Sequence, residues 1–113
     1  MEPSVAREEL DLSGLPGGEL IAQGLRDLEE GRETMASLLV EIGATRLRRV
    51  AVPVPSPPRA VRAAELRLYD RLNNEQPAGA YSRYNALIRL LVSLERSLEA
   101  EYFRARRRSA TLS

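Results

Sequence analysis

The feature that most limits this chain is the stretch "VPVPSPP", residues 52–58, with prolines at 53, 55, 57 and 58. Each proline lacks a backbone donor and restricts the residue before it, so neither a helix nor a central strand can run through. The sequence here reads as a semi-rigid extended connector near polyproline II, spanning 50–58. A spacer is the reading adopted, ahead of a ligand for a proline-recognition domain. Any core must come from the segments on either side.

Both flanks carry helical periodicity. Upstream, Ile21, Leu25, Leu28, Met35, Leu39 and Ile42 are spaced 4, 3, 7, 4 and 3, with Arg32 at the skipped position. That is the seam of an amphipathic helix, close to a heptad. Gly43 reads as its left-handed C-cap, which predicts one helix of about 25 residues, roughly 37 Å long. Gly17, Gly24 and Gly31 recur every seven residues. An interior glycine costs roughly 1 kcal/mol relative to alanine, and a strip of small residues offsets this by letting another helix approach closely. Gly24 and Gly31 are therefore the expected helix-contact residues. The rival reading ends one helix at Gly31 and starts another in "RETMASLLVEIG". No good N-cap is seen after Gly31, which favours continuity. "TRLRRVAV" reads as one further helical turn.

Downstream, Ser56 and Pro57 make a helix start, a capping hydroxyl with proline at the first helical position. The second helix runs to about Leu72, with Val61, Leu68 and Leu72 on one side. "NNEQPAG" makes the next turn. The third helix runs from about Ala80 to Arg107, with Tyr84, Leu87, Leu91, Leu94, Leu98 and Tyr102 in phase. Ile88, Leu90 and Val92 widen the stripe, so this helix has more than one neighbour. The expectation is an all-α fold with two long helices and one shorter helix, a helical hairpin or bundle. Its unmatched apolar length would be covered by a second copy, giving a homodimer. Residues 1–17 read as an irregular N-terminal segment and 18–113 as a single helical domain.

Composition narrows the chemistry. The only aromatic residues are Phe103 and four tyrosines, so the core is built from Leu, Val, Ile and Ala. Cysteine is absent, which excludes disulfides, thiolate nucleophiles and cysteine metal sites. Histidine is absent too, removing the commonest general base and transition-metal ligand. All seventeen basic residues are arginine, which excludes lysine Schiff bases and a Walker-type phosphate loop. Such a lysine-free, Ala- and Arg-rich chain points to a high-GC bacterial or phage genome. No apolar run approaches the roughly 20 residues of a membrane span. The acidic N-terminus lacks a hydrophobic signal region, so the expected location is cytoplasmic, away from membranes.

The net charge of +1 hides an asymmetry. Residues 1–45 carry ten acidic side chains and three arginines, a net of −7. Residues 46–113 carry fourteen arginines and six acids, a net of +8. An acidic helix packed beside a basic one accounts for this, within one chain or between two. The same polarity also suits a nucleic acid or an acidic partner.

Three groups of residues could carry function. In "DLEEGRE", Glu29, Glu30 and Glu33 are spaced E-E-x-x-E. Carboxylates on adjacent turns bind Mg²⁺ when further acids converge on them. The spacing resembles the first motif of the all-α nucleoside triphosphate pyrophosphohydrolases, a likeness confined to about five residues. It implies a Mg²⁺-dependent nucleotide hydrolase with these three carboxylates on the metal. The family's second pair, E-x-x-D on a later helix, is not matched: Glu65 and Asp70 are wrongly spaced, and Leu68 stands where the aspartate is needed. The plainer reading is a solvated face, with Arg26 paired to Glu30 and Arg32 to Glu29.

The second group is basic, "RLRR" at 46–49 and "RARRR" at 104–108. Arg46, Arg48, Arg49, Arg104, Arg106, Arg107 and Arg108 present the planar, permanently charged fork that suits phosphates and carboxylates. Arginine near a helix C-terminus also complements the helix dipole without any ligand. Tyr102 and Phe103 are the aromatic residues next to these runs, and no helix-turn-helix pattern is present. The third group, Tyr81, Tyr84 and Tyr102, reads as core or rim, with Tyr84 core and Tyr81 rim. The sequence thus leads to a small non-enzymatic α-helical interaction or scaffold protein. It would self-associate and bind a macromolecular partner, most simply a protein, without a cofactor. Its alternatives are an Arg-dependent nucleic-acid binder and the Mg²⁺-dependent hydrolase.

Overall fold

The computed structural model describes residues 12, 14–57, 60 and 62–112. Among them are four helices and no strand: α1 (Gly18–Glu29), α2 (Met35–Arg49), α3 (Ala64–Glu75) and α4 (Ala80–Leu112). The all-α architecture is as expected, but the first long helix is two helices. Most of the N-terminal segment 1–17, and Val61 of the expected second helix, lie outside the described residues.

The break falls at Gly31, whose φ of 78° is left-handed. The Gly31 N–H donates to the Leu28 carbonyl at 3.1 Å, and the Arg32 N–H to that of Asp27 at 2.8 Å. This pair of bonds is the Schellman close, which satisfies the last carbonyls of a helix. Thr34 then starts α2 from an extended backbone, φ −131° and ψ 171°. Its hydroxyl accepts the Ser37 N–H at 3.0 Å, while the Ser37 hydroxyl accepts the Thr34 N–H at 2.8 Å. The continuity expectation failed because this reciprocal cap closes with serine, not with the glutamate or glutamine that marks a capping box in sequence.

Folded back, α1 packs along α2. Gly24 is buried in that seam, and a Cβ there would strike the Ala36 carbonyl and the Val40 side chain. Gly24 is thus a point of close helix approach. Gly31 is not: it lies in the turn, and a Cβ added to it would meet nothing within 4 Å.

Helix α2 is the hub, packing against α1, α3 and α4. Gly43, expected as a C-cap, sits inside α2 under α4, where a Cβ would lie 2.6 Å from Glu95 Oε2 and 2.9 Å from Leu91 Cδ1. Helix α2 therefore continues through "TRLRR" and ends in a second Schellman close. The Ala51 N–H meets the Arg48 carbonyl and the Val52 N–H the Leu47 carbonyl, each at 3.0 Å. Ala51 takes the left-handed position with φ 68°.

The connector then runs extended, with Val52 and Val54 buried on either side of the exposed Pro53, the period-2 pattern of a chain docked on one edge. Arg48 fixes it by donating to the carbonyls of Val54 at 3.1 Å and Pro55 at 3.2 Å. Held this way, Ser56 and Pro57 start no helix; α3 begins at Ala64, with no side-chain cap. The turn into α4 closes at Gly79, φ 82°, where the Ala80 N–H reaches the Pro77 carbonyl at 3.2 Å. Tyr69 and Tyr84 meet edge to face across this hairpin, 6.0 Å between centroids.

The core centres on Leu38, Leu39 and Leu47 of α2, with Leu68 and Leu72 of α3 and Leu94 of α4, all fully buried. Helix α4 has 33 residues, roughly 50 Å at 1.5 Å per residue, and the molecule's longest extent is 54 Å. No helix among the described residues is long and apolar enough to cross a membrane. The turn at Gly31 doubles the first apolar seam back on itself. The length of that first seam is thus matched within the chain, while α4, at 33 residues, outruns the 15 of α2 and the 12 of α3.

Candidate functional site

Arginine dominates the polar chemistry of this chain, and its residues divide by what they touch. Arg46 reaches from α2 to α4, where its Nη1 donates to Glu95 at 2.9 Å and its Nε and Nη2 to the two oxygens of Glu99 at 2.9 and 2.8 Å. Glu95 is only 4 % exposed. Burial pushes its carboxyl upward, against the Arg46 charge that lowers it. Glu99 is held below the usual carboxylate range, chiefly by the Arg46 hydrogen bonds. With its fork occupied by two carboxylates of its own chain, Arg46 is a structural tie. Arg48 is occupied by the connector carbonyls. Arg49 is exposed, and its charge helps to keep Glu99 ionised.

A second set surrounds an open cleft of about 440 Å³ between α3 and the start of α2. Arg67 bridges Glu33 at 2.7 Å and Glu41 at 3.2 Å. Arg62 pairs with Asp70 at 2.7 Å, and Arg71 lies 4.0 Å from both Glu33 and Glu75. Every arginine of this cleft faces a carboxylate, so the charges cancel locally, and Arg67 ties α3 to Glu41 of α2 and to Glu33 in the turn before it.

The acidic triad of the hydrolase reading is drawn apart by the break at Gly31. Glu29 ends α1, Glu30 lies in the turn paired with Arg32, and Glu33 turns toward α3 and Arg67. Among the described residues there is no group of three or more His, Cys, Asp or Glu side chains that could hold a metal ion. The carboxylate that matters in this turn is Asp27, 4 % exposed. It accepts the Thr34 hydroxyl at 2.8 Å, the Gln23 amide at 2.9 Å and the Arg32 guanidinium at 3.0 Å. The Thr34 bond does most to hold the Asp27 carboxyl below its ordinary value, with burial opposing. Sequence reasoning passed over Asp27, Arg67 and Glu95. Two of them left a trace: an acid in the last turn of a helix opposes the dipole and needs its own donors, and Glu95 falls in phase with Leu91, Leu94 and Leu98.

What remains is the distal end of α4. From Phe103 to Arg108 every residue is exposed, and four of these six are arginine. Tyr102 and Phe103 meet edge to face at 5.5 Å. Arg106 lies 5.6 Å over the Tyr102 ring and bonds its hydroxyl at 3.2 Å. Arg104 keeps a loose contact with Glu101 at 3.7 Å. Of the seven arginines expected to bind a partner, Arg104, Arg106, Arg107 and Arg108 are thus gathered on one helical end. Arg46 and Arg48 are not among them, being bound internally. Tyr81, on the first turn of α4, is exposed, while Tyr84 belongs to the α3–α4 seam.

No protein-family model, curated protein or solved structure matches the chain. Fold and surface alone define its class: a small all-α protein whose body is knit together by internal ion pairs, with a cationic helix end projecting from it.

Proposed function

We propose that this chain is a non-enzymatic helical binding protein, with the projecting end of α4 as the element that engages a negatively charged macromolecule. One observation carries the reading. Eight arginines of the body, Arg26, Arg32, Arg46, Arg48, Arg62, Arg67, Arg71 and Arg83, meet carboxylates or carbonyls, whereas the end of α4 gathers four exposed arginines beside one exposed acid, Glu101. Exposed arginines gathered this densely hold a local excess of positive charge, and arginine is the side chain that binds carboxylate or phosphate in a fork. The partner is placed here, not a second copy, because two such ends would bring like charges together.

Retention on an immobilised polyanion such as heparin tests this directly. The wild-type chain should need more salt for elution than a variant with Arg106, Arg107 and Arg108 all replaced by Gln. Equal elution of two folded proteins would overturn the assignment of α4. Light scattering on the same samples decides the separate matter of self-association, with a monomer of 12.6 kDa as the reference.

A further inference from the structure

The cationic surface of α4 is longer than the run at its end. Helical phase joins Ser82, Ala86, Arg89, Ser93, Arg96, Ala100, Phe103 and Arg107 along one line of the helix, in steps of three and four residues, and all eight are exposed. Arg104 borders it. This line contains no acidic residue, because the acids of α4 lie elsewhere: Glu95 and Glu99 face Arg46, and Glu101 faces Arg104. Neither Arg89 nor Arg96 forms an ion pair among the described residues. Arg96 adds its charge to those keeping Glu99 ionised. Ser93 lies between Arg89 and Arg96, and Ala100 follows Arg96, side chains short enough for a bulky anionic surface to come close to the helix itself; Phe103 stands between Ala100 and Arg107. Arg89, Arg96 and Arg107 lie roughly 10 and 16 Å apart along the axis.

We infer that this outer ridge of α4 is a docking surface for the sugar–phosphate backbone of a duplex nucleic acid, read by charge and not by sequence. The inference rests on the proposed role of α4 in binding an anionic macromolecule, and names that macromolecule. Four arguments from the ridge select it. A regular row of cations without acids matches a polymer whose charges recur along a line. A duplex carries one negative charge per about 1.7 Å of axis, so a straight ridge of roughly 27 Å between Arg89 and Arg107 stays within reach of several phosphates. A protein partner would need an apolar anchor at the centre of its interface, and the ridge offers one ring, Phe103, near its far end. A membrane surface would need the apolar face of α4, which packs toward α2 and α3 with Leu91 and Leu94 buried. A second copy would set arginine against arginine.

The test is fluorescence anisotropy of labelled DNA and RNA duplexes of about 25 base pairs, at about 50 and about 200 mM salt. The wild-type chain should bind, with log K falling against log salt at a slope of about −3 for three to four neutralised phosphates. The double variant Arg89→Gln, Arg96→Gln should lose about tenfold in affinity at the lower salt and show a slope shallower by about 2. Arg26→Gln, an exposed arginine on α1, should leave both values unchanged. Circular dichroism of each variant confirms that the helices are retained. Binding of one duplex type and not the other still supports a backbone ridge and names its helical form. Duplex binding that is lost with Arg106 and Arg108 but indifferent to Arg89 and Arg96 would overturn the ridge while leaving the proposed role of the α4 end intact. No duplex binding, with poly-glutamate or anionic vesicles retained instead, would overturn nucleic acid as the partner and again leave that role standing. Failure to bind any polyanion would remove both.

Discussion

Helix α2 is gripped on two sides by different means. Toward α1 the contact is backbone on backbone. Gly24 sits against the Ala36 carbonyl, and the turn that brings α1 there is closed by a neutral reciprocal cap and one buried carboxylate, Asp27. Toward α4 the contact is again made over a glycine, Gly43, but a charged triad fills the space above it: Arg46, Glu95 and Glu99. The first seam leaves no slack, because backbone atoms cannot rotate out of the way. The second has some, because carboxylate and guanidinium ends can shift. Geometry makes one seam brittle and the other adjustable, and pH divides them further.

The largest effect should come from Gly24→Ala. The added methyl meets backbone, so α1 and α2 must separate, and we expect a loss of about 3 kcal/mol, the upper end for overpacking. Denaturant unfolding measures it. A loss under about 1 kcal/mol would mean that the seam is looser than the structure has it. Arg46→Leu comes next. It leaves the buried Glu95 without a counter-charge, and such losses run to 3–5 kcal/mol for fully buried pairs. The Arg46 side chain is 37 % exposed, which reduces the expected cost to about 2 kcal/mol. Adding Glu95→Gln to that variant should restore most of the stability, because the stranded charge goes with it. Gly43→Ala should cost about 1 kcal/mol, less than Gly24→Ala, since alanine's better helix propensity offsets part of the contact with Glu95 and Leu91.

The pH dependence separates the seams without a magnitude. Asp27 and Glu99 are held low in the folded state. Their stabilising contribution is present above the unfolded carboxylate range and is lost as pH falls through the lowered values. Glu95 is held high, so its contribution has the opposite sign: complete below the unfolded value and lost as pH rises through the raised one. On acidification the α2–α4 seam therefore loses with Glu99 what it partly regains with Glu95, while the α1–α2 seam only loses. Asp27→Asn should flatten the fall in thermal midpoint below about pH 4. Glu95→Gln should steepen the fall, through loss of the opposing contribution. An unchanged acid limb in Asp27→Asn would show that the carboxylate is not coupled to folding.

These seams also mark how far the sequence could be read. The apolar periodicity of Leu39, Leu68, Leu72, Leu91 and Leu94 marked residues that are buried in the core, because burial leaves a regular imprint on residue type. Helix ends were less legible. The cap at Thr34 is completed by Ser37, a residue whose type alone does not announce the role. Gly43 has the composition of a C-cap but serves helix packing, and only three-dimensional proximity to Leu91 and Glu95 distinguishes the two uses. The arginines were hardest. Arg46 and Arg108 are the same residue in similar basic runs, yet one is bound to two carboxylates about fifty positions away in the chain and the other is exposed. Runs of like charge draw the eye, whereas Arg89 and Arg96 emerge only when the helix is read by phase.

The smallest expected effects compare the two ends that α1 and α2 share in form. Both helices close with the same pair of backbone bonds, one through Gly31 at φ 78° and the other through Ala51 at φ 68°. A side chain in that left-handed conformation costs about 1 kcal/mol, which glycine avoids. Gly31→Ala should therefore destabilise by about 1 kcal/mol, although nothing in space obstructs the new methyl. Ala51→Gly should do the reverse, raising stability by up to about 1 kcal/mol less the entropy that glycine adds to the unfolded chain. Chemical denaturation of both variants measures the pair. Opposite signs would mean that backbone conformation alone governs these positions. A loss in both would show that the Ala51 methyl contributes contacts, leaving the end of α2 held by side chains where the end of α1 is held by its backbone.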